Sequence, residues 1–219
     1  MSDSQWVQNL RMPFFNGQAA IQCDPQICAG EIAQVLMIND YLPLGEVGQF
    51  RYRSAALQVG ELTLAAVCHT SVSFSAPVVT TATATFILPY AGMAVSHGHG
   101  HPIAYMPGQA VMISRAGVSR TEISPYSGIA LRLSHAALER VAKAMAPHHF
   151  QERDLLAAIN GFRVFSLETR TEAILINQIR HLIALVNPLL GRDRKLKSWA
   201  DLDDQLCRRL VALVLPALI

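Results

Sequence analysis

The 219-residue sequence predicts a mainly β chain with α-helices at its C-terminal end, and three observations carry that expectation. Between residues 55 and 133, short apolar runs alternate with Gly, Pro and Ser roughly every ten positions, the spacing of a sandwich or barrel. Thr81, Thr83 and Thr85 alternate with Ala82, Ala84 and Phe86, so one face of a strand is hydroxylated and the other apolar. After Leu133 the apolar period changes to threes and fours, which marks helices.

In chain order the strand-like runs fall at 55–59, 62–69, 72–75, 80–88, 93–96, 103–106, 110–114, 119–123 and 128–133. Each is rich in Val, Ile, Thr, Leu or an aromatic residue and is bounded by turn formers. Ser134 is placed to cap a helix over 136–145, which stops before Pro147 because proline disfavours helical geometry in the residue preceding it. Thr169 and Glu172 have capping-box spacing, and Leu175, Ile179, Leu182, Ile183 and Val186 then share one face up to Pro188. A third helix is expected from Ser198 through Leu202, Leu206, Leu210, Leu213 and Val214 to Pro216. The expected organisation is an N-terminal arm and first strands over 1–50, a barrel over 51–133, and a helical region over 134–219.

Composition narrows the function. Hydrophobic residues make up 51% and charged residues 16%, against a usual charged share of about 25%, so disorder is excluded and little charge remains to cover a surface. That deficit points to a self-association face. Eighteen basic against sixteen acidic residues give +2, far from the balance that sustained phosphate contact needs. Cys23, Cys28, Cys68 and Cys207 are too few and too irregular for a disulfide framework and read as free thiols. The first ten residues lack the basic and apolar regions of a secretory signal, and no run suits a membrane span, so a cytoplasmic protein is expected. There is no Gly-x-Ser-x-Gly elbow, phosphate loop or dinucleotide fingerprint, and no cofactor is expected.

One cluster invites metal chemistry: His97, His99 and His101 alternate, so a strand would aim all three to one side. An oxygenase-type site also wants a converging carboxylate, and no Asp or Glu occurs from Ser75 through Arg120. The interleaved Gly98 and Gly100 favour a hairpin tip in water, so no metal is expected. His69 ends an apolar strand, as a polar contact at a cavity mouth or a plain strand end, and His148 and His149 follow Pro147 in a loop expected to be solvated.

From about Phe50 to Leu138 an ordered set of fragments resembles the N-terminal effector-binding domain of AraC/XylS-family transcription regulators. The fragments are Phe50-Arg51-Tyr52-Arg53-Ser54, Val59-Gly60-Glu61-Leu62-Thr63-Leu64, Phe86-Ile87-Leu88-Pro89-Tyr90-Ala91-Gly92, Met106-Pro107-Gly108-Gln109-Ala110-Val111-Met112-Ile113 and Ala130-Leu131-Arg132-Leu133-Ser134-His135-Ala136-Ala137-Leu138. The resemblance implies a cupin-like double-stranded β-helix barrel followed by an antiparallel helix pair, a small-molecule effector inside, and a homodimer. It implies DNA contact only through a helix-turn-helix module, which does not follow Leu215, so the chain is expected to be a sensor half or a free-standing sensor. Metal-binding cupins follow His-x-His with Glu at three or four residues, but Ile103, Ala104, Tyr105 and Met106 occupy those places here.

A barrel of this kind encloses a compact ligand against a few polar groups. Candidates are His69, Thr83, Thr85, Tyr105 and Arg132, with Phe14 and Phe15 on an arm that could close the mouth. A carboxylate effector would find its anchor in Arg132 or Arg120, since a guanidinium grips it twice. Dimerisation is expected through the stripe of Leu175, Ile179, Leu182, Val186, Leu206 and Leu210. The rival expectation is a metal-dependent cupin-type enzyme built on His97, His99 and His101.

Overall fold

The structure, a computed structural model, describes residues 12, 21–36, 40–75, 82–114, 120–146, 148, 150–187 and 196–218. The strands are β1 (Asp40–Pro43), β2 (Tyr52–Val59), β3 (Leu62–His69), β4 (Val72–Ser75), β5 (Thr83–Ala91), β6 (Ala94–His99), β7 (His101–Tyr105), β8 (Ala110–Ser114), β9 (Arg120–Ile123), β10 (Tyr126–Ser134) and β11 (Gly161–Phe165). The helices are α1 (Pro25–Leu36), α2 (His135–Met145), α3 (Glu152–Ala158), α4 (Arg170–Ala184) and α5 (Leu196–Val214). Each run expected between 55 and 133 corresponds to a strand, and the runs at 62–69, 72–75 and 110–114 have the expected bounds.

All strand pairs are antiparallel, in a six-stranded sheet ordered β11-β8-β5-β10-β3-β2 and a five-stranded sheet ordered β1-β4-β9-β6-β7. This is a cupin-like barrel of two sheets with helices following it. Alternation along the strands builds two cores from the larger sheet. Leu62, Leu64, Ala66, Ala84, Phe86, Leu88, Leu131 and Leu133 share one core with Leu138, Ile176, Ile179, Leu206 and Leu210 of the helices. On the barrel side Tyr41, Tyr52, Phe74, Ile87, Tyr105, Ile123 and Tyr126 form the second.

Local chemistry explains the joints. Ser134 accepts a hydrogen bond from the Ala137 N–H at 3.0 Å and caps α2. The β2–β3 turn places Gly60 at φ +57°, a left-handed conformation, and the Asp203 carboxyl of α5 lies so close that a side chain at residue 60 would collide with it. Asp203 also accepts the Glu61 N–H, so the last long helix is fastened to the first hairpin.

Four local expectations are corrected. Helix α1 occupies part of the stretch expected to hold only an arm and strands, and α3 with β11 lies between two helices expected to be successive. Thr169 makes no side-chain capping bond, because Glu172 turns instead to accept the Ser166 N–H at 2.8 Å and to face Arg163. Helix α5 begins at Leu196, two residues before the expected Ser198. The histidine-rich segment, by contrast, forms the expected hairpin tip: β6 turns into β7 at Gly100, with His99 opposite His101 and His97 opposite Arg120.

Candidate effector chamber

Register places three aromatic residues in one row. Tyr52 lies opposite His69, and His69 opposite Tyr126, at one end of the larger sheet. His69 and Tyr126 stack at 5.4 Å between ring centroids, and the Tyr41 ring meets His69 edge-on at 6.2 Å. Gly128 makes this possible: the Tyr126 ring folds back over it, and any side chain there would run into that ring.

These residues bound a cavity between the sheets. Ile32 of α1, Tyr41, Val67, His69, Phe74, Ile87, Tyr105, Ile123, Tyr126 and the Gly128–Ala130 backbone region surround it. Its volume is about 30 Å³, room for about two water molecules and not yet for an organic ligand. None of these lining residues carries a formal charge at neutral pH.

The polar groups are few and specific. His69 is 2% exposed, and its Nδ1 lies 2.8 Å from the Thr70 carbonyl, so Nδ1 holds the proton and Nε2 is the acceptor. Burial pushes the His69 pKa down to about 4, with the Thr70 bond opposing. Burial pushes the Tyr105 phenol up to about 12, against a hydrogen bond to Ser96, which pairs with Thr121 at 2.9 Å. The Tyr41 hydroxyl sits beside the Cys28 thiol without a well-formed hydrogen bond, and the Tyr126 hydroxyl is buried with no partner. Burial raises Cys28 to about 12, so that thiol is inert.

The sequence candidates separate accordingly. His69 and Tyr105 line the cavity. Thr85 and Arg132 share the barrel-side face of the larger sheet but lie in the Thr63 row, six residues along β3 from His69, about 20 Å away at strand rise. Thr83 lies two residues further still, opposite Ser134. Phe14 and Phe15 lie outside the described residues. Arg120 faces Glu122 at 3.1 Å and donates to Ser73, an arrangement at the surface away from the chamber.

Of the candidate dimerisation residues, Leu175, Ile179, Val186, Leu206 and Leu210 are buried in the chain's own core, and Leu182 is half-buried. His101 and His148 are exposed and His97 is half-buried, while His149 lies outside the described residues. Among the described residues no three His, Cys, Asp or Glu side chains stand close enough to hold a metal ion. Patterning does not point to Tyr41, Phe74 or Tyr126. Tyr126 stands beside Ser124 and Pro125, which suggest a turn, and only the alternation of Tyr126, Gly128 and Ala130 would have extended the strand back to it.

A two-sheet barrel with an internal chamber and a helical tail packed on its outer face is the cupin-like fold seen in AraC-like regulators. The crystal structure of the AraC-like transcriptional activator CuxR superposes with a TM-score of 0.65 at 14% identity, covering 90% of this chain and 70% of that one. More distant likenesses are apo ToxT from Vibrio cholerae, at TM-score 0.39 and 6% identity over 74% of this chain and 55% of that one. YlbA from E. coli scores 0.29 at 16% identity over 37% and 36%. The sequence matches no protein-family model and no curated protein. Among the described residues no helix is long and apolar enough to cross a membrane.

Proposed function

We propose that this chain is the small-molecule-sensing and dimerisation domain of an AraC-type transcription regulator acting in the cytoplasm. The observation that carries the proposal is the CuxR likeness, which takes in barrel and helices together over 90% of the chain. The chamber supports it: a compact apolar space with a few fixed polar groups is the usual form of a small-ligand site. On this reading the barrel performs no catalysis, and DNA contact falls to a helix-turn-helix module.

Signal transfer needs two states that the ligand distinguishes energetically. The helical tail reaches a strand beside the chamber through Arg180 of α4, which donates to the Pro89 carbonyl at 2.9 Å and lies 5.0 Å from the Tyr90 ring centroid. Pro89 pairs with Gly128, which carries the folded-back Tyr126. Expanding the chamber by displacing Tyr126 therefore disturbs one of the contacts between the barrel and α4.

The test is native mass spectrometry of the chain after incubation with a cell extract. The proposal expects one small molecule per chain, lost in Phe74→Trp, which fills the chamber, together with a dimeric mass. A chain that retains nothing and stays monomeric at high micromolar concentration contradicts it.

A further inference from the structure

We propose that the effector is uncharged and compact, and that a hydroxyl on an otherwise apolar body anchors it between His69 and Tyr126. This inference rests on the sensing function proposed above and names the class of molecule sensed.

Two groups face the chamber with opposite needs. The Tyr126 hydroxyl is buried and unpartnered, a donor for which burial supplies no acceptor. His69 Nε2 is an acceptor, because Nδ1 is committed to the Thr70 carbonyl. A single hydroxyl can accept from Tyr126 and donate to His69 at once, whereas a carboxylate could satisfy only the first. The rest of the wall is Ile32, Val67, Phe74, Ile87 and Ile123, which suits an apolar body. An ionised ligand would leave water without a countercharge on any described lining residue.

A cation that acts on Tyr126 is Arg180, on α4. Its guanidinium donates to the Pro89 carbonyl and faces the Tyr90 ring; its Nε is buried without a hydrogen-bond partner and its charge acts on the Tyr126 phenol, but it does not line the chamber. Arg132 and Arg120, the carboxylate anchors that sequence suggests, lie in other places.

Phenol and benzoate share a ring and differ in charge, so they are the probes. The whole chain is labelled at isoleucine δ1 methyls and titrated with each at neutral pH. Phenol is expected to shift Ile87 and Ile123 saturably, with benzoate more than tenfold weaker. Tyr126→Phe should weaken phenol about tenfold, the effect of one buried hydrogen bond. His69→Gln keeps an acceptor in place of Nε2 and should stay within a few-fold, while His69→Leu should not, so the idea survives one unfolded variant. Benzoate binding as tightly as phenol, and losing affinity in Arg180→Gln, overturns the neutral class and leaves the chamber standing. Neither probe moving those methyls at millimolar concentration overturns both the class and the sensing function.

Discussion

The six-stranded sheet presents two faces made by the same strands, and they are built for different purposes. On the helix side Leu64, Phe86, Leu88, Met112 and Leu131 are fully buried against α2, α4 and α5. On the barrel side the same strands contribute Val67, His69, Ile87, Gly128 and Ala130 around an open space. One face is buried against the helices; the other keeps a void, a small-residue floor and the unsatisfied Tyr126 hydroxyl, although Ser127 on the helix-side face is also buried without a partner. Packing left unmet on one side of the sheet marks a surface that a ligand can complete.

The comparison breaks first at the large side chains. Phe86→Ala on the helix side should destabilise by about 3–5 kcal/mol, and Phe74→Ala beside the existing cavity by about half that, measured by urea denaturation. Equal losses would mean that the helix-side core and the chamber wall, to which Phe74 of the smaller sheet belongs, are packed alike. Next in size is His69. Its folded pKa of about 4 lies below the unfolded 6.5, so the unfolded chain takes up the proton first. Stability is intact above pH 6.5 and falls as pH drops toward 4, by about 3 kcal/mol in total. His69→Gln should remove most of that slope.

Gly60→Ala sharpens the contrast from the helix side. It combines a left-handed φ with a collision against Asp203 and should lower stability by about 2 kcal/mol, with α5 losing amide-exchange protection. The smallest effect belongs to the surface pair Arg140–Glu61, both more than a third exposed. Glu61→Gln should change stability by under about 0.5 kcal/mol.

Much of the scaffold was legible because strand alternation and helix period are local properties. The β3 run from Leu62 to His69 declares both faces in eight residues, and Ser134 declares the start of α2. The chamber was less legible because it depends on which row of a face the second sheet covers. Thr85, Arg132 and His69 all belong to strands with a barrel-side face, yet only the His69 row meets Tyr41 and Phe74 of the smaller sheet. The helical stripes show the same limit. Period alone cannot say whether Ile179 and Leu206 meet a partner subunit or their own chain, and here both are buried in the chain's own core. The region over 1–50 hid α1 because Pro25 and Gly30 read as loop residues, although Cys28, Ile32, Val35 and Leu36 carry helical spacing.

Dissolved xenon, followed through isoleucine methyls, tests the contrast most directly because it needs no knowledge of the effector. Ile32, Ile87 and Ile123 should shift saturably with xenon concentration, while Ile176, Ile179 and Ile183 of α4 stay fixed. Equal responses in both sets, or none beside the chamber, would contradict the account.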